Sequence, residues 1–593
     1  MFGPRLVPFV CLALVAAALA LHWPGGAELK SDDYVAIRYA SDLTNCLADF
    51  AGPQYDLTFF SFYRPFITLS FGLDNLLFGA DPFGFLLMNA LAVGVAAVLL
   101  FTLLRELVGG ATGLALAAAV ALLWIAHPIV VPSAAWGAGR VDTHVAPPLL
   151  LALWFHLRLR RGGKRWPVWA AVLVALATKE SAIGFPLLAL GIDLLDPHPS
   201  YRPAPALFGR ALPALPYLLL IPAFLLLRLV VLGHIVGGYR FQALAGFDLA
   251  GMTGGLLNTI GGALNPGLPD QGRKLVAVAV LALLGVLMVR SAWKRQLAGV
   301  LLLAGGLFGP LAQVLPAMRS GDQRFAYLAC AGVLAVWAVA AARFTRGRPL
   351  PTLVLAMLPI IFLWPAHRDR RAEFRVHDGF VRAVLDSAAT CAEQLEPGDP
   401  VVLADAGRDP YRFLWGLGSC AKPPFAERAR ELVTLTPLHP RFPPATRALV
   451  CGGLKAWIRA GRTDVEPVLA PDSTREVAVP VGFDGTLDEP AVHALAKETI
   501  GYRVGPDFAG QVAIASSIGA AQVEVQAKDG LLPLNRVLVP SKDAFILQVL
   551  WNHFDLAKGS PVFLFWKEGD RYVRASFSVT PAFADAIKKF LGG

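Results

Sequence analysis

The chain has 593 residues, of which 55% are hydrophobic and only 16% are charged. A soluble chain would carry about 25% charged residues, and here the apolar residues are gathered in long blocks before residue 366, so the composition excludes an ordinary soluble protein. The formal net charge of +10 does not indicate nucleic-acid binding, because no basic stripe is interleaved with aromatic residues. Much of the Lys and Arg lies in short segments between apolar blocks, where positive charge orients membrane helices and meets anionic lipid.

Eleven apolar blocks predict membrane-spanning helices, for which about 20 mostly apolar residues are needed. They lie near residues 5–22, 83–104, 111–131, 142–159, 166–179, 181–195, 211–232, 274–290, 297–316, 325–342 and 350–365. The first block lacks a good signal-peptide cleavage site, so we interpret it as a retained span. The segment 61–79 is nearly as apolar, but it contains Arg64, Asp74 and Asn75, and we predict a helix that lies along the membrane surface.

The charge of the loops predicts the orientation. With the N-terminus in the cytoplasm, the segments RLRRGGKR, RSAWKR and RFTRGR all face the cytoplasm, as the positive-inside rule requires. The outer face then receives residues 23–82, HPIVVPSAAWGAGRVD, TKES, the stretch 233–273, RSGDQRF and the C-terminal region. The unusual polar motifs therefore gather on one side of the membrane.

From about residue 366 the composition changes to a mixed pattern. Short apolar runs such as PVVLADA, QVAIASS and PVFLFW predict strands, and TPAFADAIKKFLGG predicts a short terminal helix. The predicted fold is therefore mostly α. A polytopic membrane domain of residues 1–365, with a first outer loop at 23–82 that carries surface helices, precedes an extracytoplasmic α/β accessory domain of residues 366–593.

Asp32 and Asp33 follow the first span in the sequence KSDDYVAIRYA. Ser31, Asp32 or Asp33 could cap a helix that begins near Tyr34, because short acceptors satisfy its first free amides, and capping is the commoner use of such residues. Neighbouring residues of a helix point in different directions. One carboxylate could therefore face a cavity while the other caps the helix or holds a partner.

Several cations are predicted on the outer side, namely Arg64, Arg140, Lys179, Arg240 and Arg324. Each alone could lie at the membrane interface with its charge in water. Arg140, Lys179 and Arg324 differ because they lie at the ends of separate spans, and such cations hold phosphate oxygens. Carboxylates opposite these cations suit transfer from a phosphate leaving group, with an acid taking a proton and the cations stabilising the departing charge. Proton-coupled transport is the rival use of the same charges.

Five motifs occur in order: SDDY, FYRPFITLSFGLDNLLFGADPFGFLLMNAL, HPIVVPSAAWGAGRVD, ATKES and DQRFAYLAC. Together they resemble the membrane core of the GT-C glycosyltransferases. The branch that they resemble most contains the tetratricopeptide-linked transmembrane O-mannosyltransferases and their bacterial relatives. The resemblance covers roughly residues 5–342.

This resemblance implies an inverting transfer of a sugar from a polyprenyl-phosphate carrier to an acceptor hydroxyl on the extracytoplasmic face. The acidic motif of the family falls on Asp32 and Asp33, where a carboxylate serves as general base. The implied contacts to the donor phosphate and sugar are Tyr63, Arg64, Arg140, Asp142, Lys179, Glu180, Arg324 and Tyr327. Some members use a divalent metal near the acids, so a divalent ion beside Asp32 and Asp33 is left open.

Residues 366–593 lack the tetratricopeptide repeats of the eukaryotic members, so the acceptor, whether a protein, a lipid or a polysaccharide, is left open. The absence of any Asn-x-Ser/Thr sequon and the heavy use of Arg and Ala favour a bacterial inner membrane. Two alternatives remain from the sequence. The chain could be a lipid-linked glycan flippase or other transporter, or a non-catalytic relative whose outer domain binds a partner.

Overall fold

The computed structural model describes residues 6–30, 32–56, 62–195, 214–235, 249–289, 293–311 and 323–393, followed by thirteen β-strands and residues 423–425. Residues 1–27 and 42–375 form one compact unit, here called the membrane unit. Residues 28–41 and 376–593 form a second compact unit, here called the strand unit.

Helices make up most of the membrane unit, and two helices include residues of the strand unit. The described helices are α1 Val7–Leu21, α2 Asp33–Ala40, α3 Leu43–Ala48, α4 Pro65–Phe78, α5 Pro82–Val108, α6 Gly110–Ile125, α7 Val130–Ala134, α8 Arg140–Arg160, α9 Trp166–Thr178, α10 Phe185–Leu195, α11 Leu220–Leu232, α12 Leu249–Gly262, α13 Asp270–Val289, α14 Trp293–Phe308, α15 Tyr327–Phe344, α16 Pro349–Met357 and α17 Ile360–Glu393. The described part of each of the eleven predicted spans overlaps a helix, and residues 211–213, 290 and 312–316 lie outside the described residues. Helix α17 passes through position 366 without a break.

Several of these helices are long and apolar enough to cross a membrane. Within the described ranges, Pro82–Val108, Leu215–Leu232 and Arg324–Phe344 meet this criterion, and the pair Pro349–Met357 and Ile360–Gly379, bent by 41°, would make a fourth span. The shorter apolar helices are Val7–Leu21, Pro65–Phe78, Gly110–Ile125, Trp166–Thr178 and Gly299–Leu311. The protein is therefore a multi-pass membrane protein, whereas the count of eleven spans stays a prediction.

Local sequence signals set the ends of the longest apolar helix. The Asp81 side chain accepts a hydrogen bond from the Phe83 amide over 2.9 Å, and Pro82 occupies the first turn, where its missing N–H costs nothing. The helix ends at Gly109, whose φ of 73° is easily reached only without a Cβ. A capped, preorganised start and a glycine stop therefore place this span between residues 82 and 108.

The turn after α9 approaches α14 closely in the membrane unit. This turn, Glu180–Gly184, is a 3₁₀ helix. A Cβ added at Gly184 would overlap the carbonyl oxygen of Gly306, so two glycines allow the backbones to touch. The contact fixes the segment that carries the motif residues Lys179 and Glu180.

The strands form three sheets. The strands are β1 Val401–Ala404, β2 Leu432–Leu435, β3 Ala456–Ala460, β4 Val465–Leu469, β5 Thr474–Glu476, β6 Thr486–Leu487, β7 Ile500–Val504, β8 Gln511–Ser516, β9 Ala521–Ala527, β10 Gly530–Leu532, β11 Ala544–Gln548, β12 Pro561–Glu568 and β13 Arg571–Val579. Their orders are β2-β1-β3-β4, β10-β9-β12-β13-β5 with β6 also on β13, and β11-β8-β7.

Parallel and antiparallel pairs both occur in these sheets. Strand β1 is parallel to β2 and β3, whereas β12 is antiparallel to both β13 and β9. The predicted strands PVVLADA, QVAIASS and PVFLFW coincide with β1, β8 and β12. The predicted terminal helix lies outside the described residues.

Candidate functional site

The motif residues Arg64 and Glu180, 116 positions apart in the sequence, form a bidentate ion pair in the membrane unit. Arg64 Nε donates to Glu180 Oε2 over 2.9 Å, and Arg64 Nη2 donates to Oε1 over 2.5 Å. The guanidinium also lies 3.8 Å from the centroid of the Phe62 ring. Because a bidentate pair is strongly directional, it holds the turn after α9 to the start of α4.

The charge state of Glu180 follows from this pairing. Burial alone would raise the pKa of Glu180, but the charge and hydrogen bonds of Arg64, followed by the charges of Lys179 and Arg228, outweigh it and lower the pKa to about 2. The carboxylate therefore stays ionised at neutral pH. It can accept hydrogen bonds there but has no proton to give.

A second buried ion pair joins the first turn of α8 to the end of α9. The Lys179 ammonium contacts Asp142 Oδ1, and both side chains are almost fully buried. Asp142 Oδ2 has no hydrogen-bond partner among the described residues, and neither has the buried Tyr327 hydroxyl. The Tyr327 phenol also lies within range of the charge of Asp142. Asp142 Oδ2 can accept a further hydrogen bond, and the Tyr327 hydroxyl can donate one.

Arg140 is fully buried, and protein groups surround its guanidinium. Nη2 lies 2.7 Å from Asp74 Oδ2 and donates to the Phe85 carbonyl over 3.2 Å, while Nη1 donates to Ser70 Oγ over 3.1 Å. The Phe71 ring covers the guanidinium at 3.8 Å. These contacts tie α8 to α4 and α5, so the geometry gives Arg140 a structural use.

Tyr63 and Arg324 contribute aromatic and cation–π contacts. The Tyr63 hydroxyl donates to the Phe50 carbonyl over 3.3 Å, and its ring meets Phe224 edge-on with 6.5 Å between centroids. The Arg324 guanidinium lies 4.3 Å from the centroid of Trp136. A ring face attracts a guanidinium, so Trp136 helps to hold the Arg324 head group in place.

The two candidate catalytic acids belong to the strand unit, and their side chains differ. Asp33 is fully buried, and its Oδ2 accepts the Lys30 amide over 2.9 Å while its own amide donates to the Lys30 carbonyl. Asp32 stands at the N-cap position of α2, but its side chain makes no capping hydrogen bond. Asp33 thus holds a backbone partner, and the capping role considered for Asp32 is not observed. The catalytic role of these acids stays a prediction. Ser31 lies outside the described residues.

Lys30 has a role that the sequence did not reveal. Its side chain is only 1% exposed, its ammonium forms an ion pair with Asp378, and it donates to the Glu28 carbonyl over 2.7 Å. Asp378 Oδ1 also accepts the Glu28 amide over 3.1 Å. The Asp378 carboxylate on α17 therefore holds both Glu28 and Lys30, the two ends of the segment that precedes Asp32 and Asp33.

The described residues do not build a metal site at the acids. No group of three or more His, Cys, Asp or Glu side chains that could hold a metal ion occurs in the part of the chain that the structure describes. The buried carboxylate of Asp33 already accepts a backbone N–H. Among the described residues, the acids therefore lack the further ligands that the divalent ion left open by the resemblance would need.

Arg228 is a further charged residue that the sequence prediction missed. It lies on α11, it is only 6% exposed, and the charges of Glu180 and Arg64 act on it. The missed signal was a single Arg inside the apolar helix Leu215–Leu232, because an ionisable residue in a span is a functional candidate by default. For Asp378 the sequence offered no comparable signal.

The structure thus brings together motif residues from distant parts of the membrane unit. Two ion pairs, Arg64–Glu180 and Lys179–Asp142, adjoin each other because Lys179 and Glu180 are consecutive residues. Tyr327 lies within range of Asp142. Arg324 and Lys179 both contact the Phe325 ring. Arg140 lies in a separate buried set of contacts.

Comparisons with known proteins agree with the ordered motifs. No protein-family model matches the sequence. The chain is 34% identical to the protein O-mannosyl-transferase Tmtc1 of Drosophila melanogaster over 163 residues, which are 27% of this chain. The match spans 19% of the length of Tmtc1. The crystal structure of ArnT from Cupriavidus metallidurans, bound to undecaprenyl phosphate, aligns with a TM-score of 0.39 and 16% identity over 71% of this chain and 85% of that chain. The resemblance to the transmembrane O-mannosyltransferases is confirmed as a distant sequence similarity to one of them over 163 residues.

Proposed function

We propose that the chain is an integral-membrane inverting glycosyltransferase. It moves a sugar from a polyprenyl-phosphate carrier to an acceptor hydroxyl on the extracytoplasmic face of a bacterial inner membrane. The observation that carries this proposal is the meeting of the Arg64–Glu180 and Lys179–Asp142 pairs, whose residues come from three separate motifs. The sequence similarity to a protein O-mannosyl-transferase supports the same activity.

The charges of the membrane unit suit a sugar phosphate. Lys179 and Arg324 supply positive charge beside one aromatic ring, and such charge stabilises a departing phosphate. Asp142 Oδ2 and the Tyr327 hydroxyl supply a buried acceptor and a buried hydroxyl. Polar groups of this kind recognise sugar hydroxyls by hydrogen bonds. The donor phosphate and the donor sugar thus each have a matching set of residues.

We assign the general base to Asp32 and a positioning role to Asp33. Asp33 is fully buried and its side chain accepts the Lys30 amide, whereas Asp32 is partly exposed. A carboxylate that takes the proton of the acceptor hydroxyl lets its oxygen attack the anomeric carbon as the bond to the phosphate oxygen breaks. A single displacement of this kind inverts the anomeric centre.

The experiment uses purified protein in lipid and a panel of radiolabelled polyprenyl-phosphate sugars. Transfer of the label to added membrane acceptors, or its slow release to water, supports the transferase. If the intact sugar-lipid instead appears on the opposite leaflet and no donor is consumed, the protein is a flippase and the proposal is wrong. Analysis of the anomeric configuration of the product tests inversion separately.

A further inference from the structure

Arg228 is buried on a helix whose neighbouring side chains are exposed. Leu226, Leu229 and Val230 are 61%, 48% and 75% exposed, whereas Arg228 is 6% exposed. It continues a buried stripe at four-residue spacing with Phe224, which is the spacing of one helix face. An arginine that only reached for the membrane interface would keep its head group in water, so this explanation does not fit Arg228.

No described residue neutralises Arg228 by an ion pair or accepts a hydrogen bond from it. Its Nε is buried and has no hydrogen-bond partner among the described residues. Its guanidinium carbon lies 5.8 Å from the Phe224 ring centroid, which is a distant cation–π contact. A buried N–H donor without an acceptor costs free energy. An acceptor for the Arg228 Nε–H must therefore come from outside the described residues.

The local charges show the sign of that acceptor. Two guanidiniums, Arg64 and Arg228, lie near the single carboxylate of Glu180, which Arg64 already engages through both of its oxygens. The adjoining Lys179–Asp142 pair is balanced. Among the described residues the charge of Arg228 is therefore in excess, and an excess charge away from water is costly unless an anion binds. The ligand is negatively charged.

We infer that Arg228 binds the phosphate of the lipid carrier, in a contact that Arg64 and Glu180 position. Phosphate oxygens match the planar fork of a guanidinium in pairs. The helix that carries Arg228 is apolar over 18 residues, so an anion attached to a lipid chain reaches this position without crossing bulk water. This inference rests on the proposed function, because it names a further residue, besides Lys179 and Arg324, that holds the donor phosphate.

The test measures binding of radiolabelled polyprenyl monophosphate to the full chain in lipid nanodiscs. We compare wild type, Arg228→Leu, Arg228→Lys and the control Arg158→Gln, whose side chain is half exposed and pairs with Glu106. Loss of a charge-assisted contact predicts binding about 10- to 100-fold weaker in Arg228→Leu, a smaller loss in Arg228→Lys and no change in the control. Binding by Arg228→Leu equal to that of wild type would overturn the inference.

Competing ligands identify the source of the phosphate. Polyprenyl alcohol lacks the charge of the phosphate, so it should bind wild type and Arg228→Leu with the same affinity. Inorganic phosphate or phosphatidylglycerol vesicles that displace the label at concentrations equal to those of unlabelled polyprenyl phosphate would contradict a site for the carrier. Competition at concentrations at least about 100-fold higher supports it.

Thermal unfolding without ligand is a second measurement, and it distinguishes an arginine that binds a ligand from one that only stabilises the fold. Because Arg228 carries excess buried charge, Arg228→Leu should unfold at the same or a higher temperature than wild type. The gain in unfolding temperature on adding polyprenyl phosphate should disappear. A large drop in unfolding temperature without ligand would show that Arg228 is a structural residue, and the inference would fail.

The two proposals fail in different ways. Phosphate binding that depends on Arg228, without sugar transfer from any donor, keeps this inference and rejects the transferase. Sugar transfer by Arg228→Leu with the KM and kcat of wild type keeps the transferase and rejects this inference.

Discussion

Arg140 and Asp142 lie two positions apart on α8, but their side chains have different surroundings. The guanidinium of Arg140 is held by Asp74, Ser70 and a backbone carbonyl. Asp142 is paired through one oxygen, and its other oxygen has no hydrogen-bond partner among the described residues. We therefore expect substitutions of Arg140 to act on stability and substitutions of Asp142 to act on substrate binding.

Arg140→Leu should lower the free energy of unfolding by about 3–5 kcal/mol, because it leaves the Asp74 carboxylate buried without its cation. The double variant with Asp74→Leu should lose less than the sum of the two single variants. Chemical unfolding of the purified protein in detergent measures both values. Strict additivity would show that the pair is not coupled. Arg158→Gln, an exposed pair member, should cost less than about 1 kcal/mol.

The Arg64–Glu180 pair predicts a pH dependence with a definite sign. The pKa of Glu180 is lowered to about 2 in the folded chain, below its ordinary value, so folding favours the ionised form. The stabilisation is therefore complete above about pH 4.5 and is lost as the pH falls towards 2. The difference in unfolding temperature between wild type and Glu180→Gln should be constant from pH 7 to 5 and shrink below pH 4. A difference that grows on acidification would contradict this assignment.

At the scale of elements, one close approach of backbones holds the turn that carries two motif residues. Gly184→Ala would place a methyl group against the Gly306 carbonyl, and overpacking of this kind costs about 1–3 kcal/mol. The displaced turn should also reduce sugar transfer. Gly285→Ala is the matched control, since its Cβ would meet nothing within 4 Å and should leave unfolding and transfer unchanged. Gly184→Ala with the stability and activity of wild type would show that the turn can move.

Segment 28–41 depends on one carboxylate of α17. Asp378→Asn removes the charge opposite the buried Lys30 ammonium and weakens the acceptor of the Glu28 amide. We expect the amides of α2 to exchange at least about tenfold faster in hydrogen-exchange mass spectrometry. Arg382→Gln, whose pair with Glu28 is half exposed, should leave the exchange of α2 nearly unchanged. Equal exchange in wild type and Asp378→Asn would show that the ion pair does not hold the segment.

At the scale of the whole molecule, the sequence predicted the helical stretches but not the pairing of their polar residues. Apolar length is a local property, so α5 and α15 could be located from composition alone. Ion pairs join positions far apart, such as Lys30 with Asp378, and no local pattern reports them. Arg140 and Lys179 resembled each other in the sequence as cations at span ends, and only packing distinguishes the enclosed Arg140 from the paired Lys179.

In the proposed reaction, Lys179 and Arg324 serve the donor phosphate and Asp142 and Tyr327 serve the donor sugar. Asp32 serves the acceptor hydroxyl. The contrast between Asp32 and Asp33 therefore tests the account at its centre, because the two residues are adjacent and chemically identical but are given different roles.

The decisive measurement is the rate of sugar transfer by wild type, Asp32→Asn and Asp33→Asn in lipid, with a donor that the wild type uses. Loss of a general base predicts a kcat about 10²- to 10⁴-fold lower for Asp32→Asn. Asp33→Asn keeps an oxygen that accepts the Lys30 amide, and it should stay within about tenfold of wild type. Asp32→Asn that transfers sugar at the rate of wild type, or a greater loss in Asp33→Asn, would contradict the account.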